Sequence, residues 1–214
     1  MQAARAPRLL AITDLSVLPQ HELVQRLRRL AEAGRPGGIA LVLRDHAATA
    51  KQRLELGHAL SDVARSTQQE LWVADRLDLA LLLAADGVHL GEASVSATVA
   101  RRLIGDQLRI SRAWHAASPF STADGDELEQ VDALLVSPVL APRKGRAALG
   151  LQAFSALGEQ LRARNQACKL YALGGVSAEN AAGCLTAGAF GVAAIGASLA
   201  ADPLPLLEAL ELRR

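Results

Sequence analysis

The stretch Leu170–Ser198, LYALGGVSAENAAGCLTAGAFGVAAIGAS, decides the fold of this chain. It predicts a buried strand, a glycine turn, a short helix, a second strand and another glycine turn. Short apolar runs bounded by glycine are typical of parallel strands that are covered on both faces. Ser177 is a good N-cap residue, so we expect the helix to begin just after it.

The two glycine turns of this stretch end neighbouring strands, and we expect their backbone N–H groups to point into one small space. Unpaired N–H groups and a helix N-terminus both favour an anion, so the arrangement suits a phosphate. A turn that serves packing alone is the alternative. The predicted phosphate-binding residues are Gly174, Gly175, Gly196, Ala197 and Ser198.

The rest of the chain alternates strand and helix in the same way. The strands expected before this stretch are Arg8–Thr13, Ile39–Leu43, Leu71–Ala74, Gly87–Leu90, Leu108–Trp114 and Asp132–Val136. Outside it, the expected helices are His21–Gly34, Ala47–Arg65, Leu77–Ala84, Val95–Ile104, Ser118–Gln130, Leu151–Arg164 and Leu204–Leu212. This α/β pattern, repeating every ~25 residues, favours a (β/α)8 TIM barrel over an open doubly wound sheet. We expect one barrel domain over residues 1–214.

Composition narrows the possible functions. The chain has 214 residues, 50% of them hydrophobic, which is enough for one large core. A net charge of +1 and 3% aromatic residues argue against a nucleic-acid surface. No apolar run approaches the ~18 residues of a membrane span. Cys168 and Cys184 lie in or beside apolar segments without a C-x-x-C pattern, which favours a reduced, cytoplasmic protein.

In a TIM barrel the active site forms at the C-terminal ends of the strands. Cations, a few carboxylates and glycine turns follow the predicted strands, which suits a small phosphorylated substrate. The positions are Asp14, Arg44, Asp45, His46, Asp75, Arg76, Glu92, His115, Ser137, Arg143, Lys144, Gly174, Gly175, Gly196 and Ser198. From this ring we select Arg44, His46, Ser137 and Lys144 as substrate-binding candidates.

Several of these strand ends carry motifs of a known family. Asp86–Gly91 reads D-G-V-H-L-G, which matches the family motif in full, and Leu10–Asp14 reads L-A-I-T-D against L-x-x-I/V-T-D. Further matches are Val42–His46 against Q-L-R-x-K, Ala74–Ala80 against N-D-R-x-D-L-A, Pro142–Lys144 with Leu149–Leu151 against P-T-K…L-G-L, His115, Gly174–Val176 and Gly191–Ser198. From about Leu9 to Ser198 the chain resembles the thiamine phosphate synthase and thiazole tautomerase (TenI) family.

The resemblance implies one of two reactions. A synthase joins a pyrimidine diphosphate to a thiazole phosphate and releases pyrophosphate, with Mg²⁺ held by two aspartates. Asp75 matches the first of these, but the second falls on or near Ser94. Val42, His46 and Ala74 replace further pyrimidine-side residues, and the threonines of the loop after the sixth strand are missing. The half of the site that would hold the diphosphate has changed, whereas the half that would hold a thiazole phosphate is kept.

That pattern favours a thiazole tautomerase, which the resemblance implies would need no cofactor. Histidine suits a proton transfer at neutral pH, and His115 is the predicted general acid–base. We expect Lys144 to close over a small phosphorylated thiazole, and a homodimer is possible. A true synthase using Mg²⁺, with Asp75 as a metal ligand, and a non-catalytic relative that binds a phosphorylated ligand remain the alternatives.

Some candidates also have ordinary structural interpretations. His89 lies between Val88 and Leu90 in a strand, which predicts a core histidine rather than a catalytic one. Asp75 before Arg76 could be a helix cap with an ion pair. His46 could lie on the surface, and the basic residues of the loop Leu140–Ala148 could be solvated.

Overall fold

In the computed structural model, which describes residues 6–115, 125–143 and 145–214, eight parallel strands form a closed barrel. Each strand pairs with the next along the chain, and the last pairs with the first through Leu9 opposite Val192. The strands are β1 Leu9–Ile12, β2 Ile39–Leu43, β3 Glu70–Ala74, β4 Gly87–Leu90, β5 Arg109–Trp114, β6 Ala133–Val136, β7 Lys169–Leu173 and β8 Gly191–Ala194.

A helix follows each strand, and the predicted (β/α)8 fold is confirmed. The helices are α1 Gln20–Ala33, α2 Ala50–Thr67, α3 Leu77–Leu82, α4 Ala97–Ile104, α5 Gly125–Gln130, α6 Leu151–Arg164, α7 Ala178–Thr186 and α8 Leu204–Ala209. A 3-10 turn at Ala197–Leu199 follows β8. The first part of the predicted fifth helix, residues 118–124, lies outside the described residues.

Capping side chains explain where two helices begin later than predicted. Thr49 and Gln52 form a capping box, so α2 begins at Ala50 and not at Ala47. The Ser96 hydroxyl accepts the N–H of Val99, so α4 begins after Ser96. Hydrophobic periodicity locates the apolar face of a helix, whereas the cap determines its first residue.

The strands separate two layers of the core. Side chains that point into the barrel, among them Leu10, Val42, Trp72 and Tyr171, form one buried cluster. The alternate side chains of the same strands pack against the surrounding helices in a larger cluster.

Among the described residues, each helix is too short or too polar to cross a bilayer.

Packing inside the barrel predicts a large effect of a small substitution. A Cβ atom at Gly87 would lie 2.6 Å from Cε2 of Trp72, which is buried. We expect Gly87→Ala to lower the free energy of unfolding by about 1–3 kcal/mol, because the indole has to move. Urea unfolding followed by circular dichroism measures the loss.

Gly183→Ala in α7 is the matched control, since its Cβ would meet Leu151 at an ordinary 3.6 Å. This control should gain up to about 1 kcal/mol from helix propensity. A Gly87→Ala protein as stable as wild type would contradict the packing described for the barrel interior.

Candidate active site

A cavity of about 550 Å³ opens at the C-terminal ends of the strands, inside the ring of loops. Its floor is the apolar barrel interior, formed by Ile12, Val42 and Leu135, and its walls are polar. Eight of the strand-end positions predicted from the sequence line it: Arg44, His46, Asp75, Glu92, His115, Ser137, Arg143 and Gly174. Lys144 lies outside the described residues.

The glycine turn after β7 is held against the loop that follows β6. Gly174 has φ +98° and Gly175 has φ +79°, both in the left-handed region that favours glycine. A Cβ on Gly175 would lie 2.7 Å from that of Ala141. The N–H of Leu140 donates to the Gly174 carbonyl at 2.9 Å, so the β6–β7 pairing continues above the barrel.

The turn after β8 lies beside the first turn, because β7 and β8 pair up to Leu173 opposite Ala193. Gly175 and Gly196 are both exposed, and among the described residues nothing accepts a hydrogen bond from the N–H of either. Ser198 is buried, and its hydroxyl donates to the Ala194 carbonyl at 2.6 Å. Its side chain is therefore engaged within the fold, and the turns offer backbone N–H groups to an anion.

His115 stands at the end of β5 in a fixed tautomer. Its Nδ1 lies 2.8 Å from the carbonyl oxygen of Ser137. A carbonyl can only accept, so Nδ1 carries a proton, and in the neutral imidazole the lone pair is therefore on Nε2. Nε2 is 3.9 Å from the carboxylate of Glu92. The side chain is 24% exposed, which leaves the ring accessible from the cavity.

Arg44 follows β2 and its guanidinium faces Asp14 at 3.8 Å. Burial alone would raise the pKa of Asp14, but hydrogen bonds from Ser16 and the charge of Arg44 lower it below 3.8. The backbone N–H of Arg44 donates to the Thr13 hydroxyl at 2.8 Å, which fixes the start of this loop. The pair places one compensated cation at the mouth of the cavity.

Asp75 and His46 meet on the neighbouring part of the wall, because Asp75 follows β3 and His46 follows β2, and these strands pair. One oxygen of Asp75 accepts the N–H of Gly91 at 2.9 Å and the hydroxyl of Ser94, and the other lies 3.4 Å from Nδ1 of His46. The capping alternative is wrong, because Arg76 stands directly before α3 and pairs with Asp78 instead.

Mg²⁺ prefers octahedral oxygen ligands and is usually held by one or two carboxylates together with substrate phosphates. Here a serine stands where a second carboxylate is expected, and one oxygen of Asp75 already accepts two donors. Within the described ranges no group of three His, Cys, Asp or Glu side chains could hold a metal ion. The residues at Asp75 do not fit the magnesium site that the resemblance implies.

Two other loops meet across the mouth. Arg146 donates to Glu92 at 2.7 Å, and the backbones of Arg143 and Arg146 exchange two hydrogen bonds of 3.0 Å. Arg143 and Arg146 both line the cavity, so this part of the basic loop is more than a solvated surface.

His89 is the cavity residue that the sequence prediction placed in the core. Its Nδ1 lies 3.0 Å from the Ser111 hydroxyl, which itself donates to the Val88 carbonyl. Burial lowers the pKa of His89 to about 4. The imidazole is therefore neutral at pH 7 and lines the cavity wall. Strand alternation, with Val88 and Leu90 turned to the helices, is the signal that could have located it.

A family model described as thiamine monophosphate synthase, TMP-TENI, matches residues 9–198. The chain belongs to this family. A thiamine-phosphate synthase of Moorella thermoacetica is 33% identical, over 86% of this chain and 90% of that protein. One from Natronomonas pharaonis is 34% identical, over 86% of this chain and 85% of that protein.

A solved structure of thiamine phosphate pyrophosphorylase from Pyrococcus furiosus has the same fold. It is 26% identical, with a TM-score of 0.77 over 95% of each chain. The predicted family and the expectation of an enzyme are confirmed, and this chain is a barrel of thiamine biosynthesis. The names of the relatives favour the synthase alternative, and the tautomerase preferred from the sequence is not confirmed by them.

The lowered pKa of His89 predicts a pH-dependent loss of stability. Its pKa is about 4 in the folded state and 6.5 as an ordinary value, so the unfolded chain binds the proton more readily. Stability is lost as the pH falls from 6.5 towards 4 and not above this range. Between pH 7 and pH 5 we expect wild type to lose about 1–2 kcal/mol more than His89→Gln, measured by urea unfolding at both values.

Glutamine carries no titrating group, so the carboxylates common to both proteins cancel in this comparison. An equal loss in wild type and His89→Gln would mean that His89 protonates freely in the folded cavity.

Proposed function

We propose that this protein binds a phosphorylated thiazole and moves a proton on its ring, as a thiazole tautomerase does. The observation that carries the proposal is His115, whose Nδ1–H is tied to Ser137 and whose Nε2 is free to act as a base beside the cavity. Such an isomerisation removes a proton from one ring atom and returns it to another. The substrate and the product therefore contain the same atoms, and the reaction needs no cofactor.

The phosphate would bind where the turns after β7 and β8 meet. Gly175 and Gly196 are exposed there, nothing in the described residues accepts from their N–H groups, and backbone dipoles favour an anion without a fixed counter-charge. Ala197 contributes the start of the 3-10 turn to the same surface. Anchoring the phosphate at this end would place the ring over the cavity floor, between β7 and His115.

His115 would take a ring proton on Nε2 and return it to the second position. The carbonyl of Ser137 holds the ring in one orientation throughout, because it accepts from Nδ1 whether the imidazole is neutral or charged. Glu92, 3.9 Å from Nε2, would stabilise the imidazolium that forms between the two transfers. Arg44 and Arg143 would contact the remaining polar groups of the substrate.

A thiamine-phosphate synthase is the second candidate, and the relatives at 33% and 34% identity favour it. It would couple a pyrimidine diphosphate to the thiazole phosphate with release of pyrophosphate. That reaction places the charge of two phosphoryl groups on the leaving group, which a synthase of this family stabilises with Mg²⁺. We place this candidate second because the residues around Asp75 do not fit the Mg²⁺ site that this reaction needs.

His115→Asn tests the proposed proton transfer. With a thiazole carboxylate phosphate in deuterated water, ring-proton exchange followed by NMR should be about 100-fold slower or more in the variant, the usual effect of losing a general base. His58→Asn is the control, because His58 is exposed on α2 outside the cavity. This control should exchange at the wild-type rate.

A coupling assay separates the two candidates. Wild type mixed with the pyrimidine diphosphate, thiazole phosphate and Mg²⁺ should yield no thiamine phosphate at a catalytic rate. Catalytic formation of thiamine phosphate would establish the synthase instead. Full exchange activity in His115→Asn would remove His115 from the mechanism.

A further inference from the structure

The four residues Asp75, Gly91, Ser94 and His46, here called the Asp75 corner, form one connected unit on the cavity wall. Asp75 follows β3 with φ +64°, and its N–H donates to the His89 carbonyl at 2.9 Å. This backbone conformation, uncommon for a residue with a side chain, brings the carboxylate over the end of β4. The hydrogen bonds to Gly91 and Ser94 then hold it there.

The carboxylate of the Asp75 corner is already balanced by the chain. One oxygen accepts the Ser94 hydroxyl and the Gly91 N–H, and the other lies 3.4 Å from Nδ1 of His46. These two donors and the imidazole stabilise the negative charge of the carboxylate, as a bound cation would.

A cation at this position would have to break these contacts. It would compete with the Ser94 hydroxyl and the Gly91 N–H for one oxygen, and with His46 for the other. Glu92, the other carboxylate in this wall, is bonded to Arg146 at 2.7 Å. One engaged carboxylate gives a divalent cation too little charge to offset its dehydration.

We infer that the Asp75 corner is a self-compensated carboxylate that takes no divalent cation, and that Ser94 is the residue which decides this. A second carboxylate in place of Ser94 would remove a donor and add a ligand, and so would convert the corner into a cation site. The inference concerns ion binding by the free protein and does not depend on the reaction proposed above.

Mn²⁺ titration followed by electron paramagnetic resonance tests this inference, since only the free aqueous ion gives the full signal. Millimolar wild type should leave the signal unchanged. Ser94→Asp should bind one Mn²⁺, with an affinity at least roughly tenfold above the limit that the unchanged wild-type signal sets, because affinity at such sites follows the number of charged ligands.

Ser96→Asp is the matched control, because it adds the same charge two residues away. Ser96 accepts the N–H of Val99 as the N-cap of α4, and aspartate serves equally well there. This control should behave as wild type. Circular dichroism shows that each variant has folded.

Two results would overturn the inference. One is stoichiometric Mn²⁺ binding by wild type that Asp75→Asn abolishes. The other is a folded Ser94→Asp protein that binds no Mn²⁺. Both are measured without substrate, so failure of the ring-proton exchange assay would leave this inference standing.

Discussion

At the end of β7 the backbone passes through φ +98° at Gly174 and φ +79° at Gly175, and the loop after β6 packs directly on this turn. The N–H groups of Val139 and Leu140 donate to the carbonyls of Leu173 and Gly174, each at 2.9 Å. The same contact therefore shapes both loops. It fixes the course of the turn that carries Gly175, next to the turn after β8 because β7 and β8 pair.

Charges around the mouth stand largely in pairs within the described residues: Arg44 faces Asp14, Arg146 faces Glu92, and His46 faces Asp75. His89 stays neutral because burial holds its pKa near 4. Paired charges give a weak net electrostatic field at a distance. The backbone dipoles at the turns after β7 and β8 therefore contribute relatively more to the position of a bound anion. This balance is the basis on which we propose a substrate with one phosphate rather than a diphosphate with its metal ion.

Much of this architecture could be predicted from the sequence, because apolar runs between glycines determine where buried parallel strands lie. β2, β4 and α6 have the bounds predicted for them. The site was less predictable where contacts join distant loops. Nothing in the neighbours of Asp75 shows that Ser94 donates to it, 19 residues along the chain. His89 is a buried, hydrogen-bonded histidine as predicted, but its apolar sequence neighbours describe the opposite face of the strand and did not show that it lines the cavity. Ala141, which would collide with a side chain at Gly175, is visible only in three dimensions.

A crystal structure of the wild-type protein with thiazole phosphate tests the central claim most directly. We expect a phosphate that accepts hydrogen bonds from the N–H groups of Gly175 and Gly196, with the thiazole ring facing Nε2 of His115. A phosphate bound instead at Arg44 or at the Asp75 corner, with the ring turned away from His115, would contradict it.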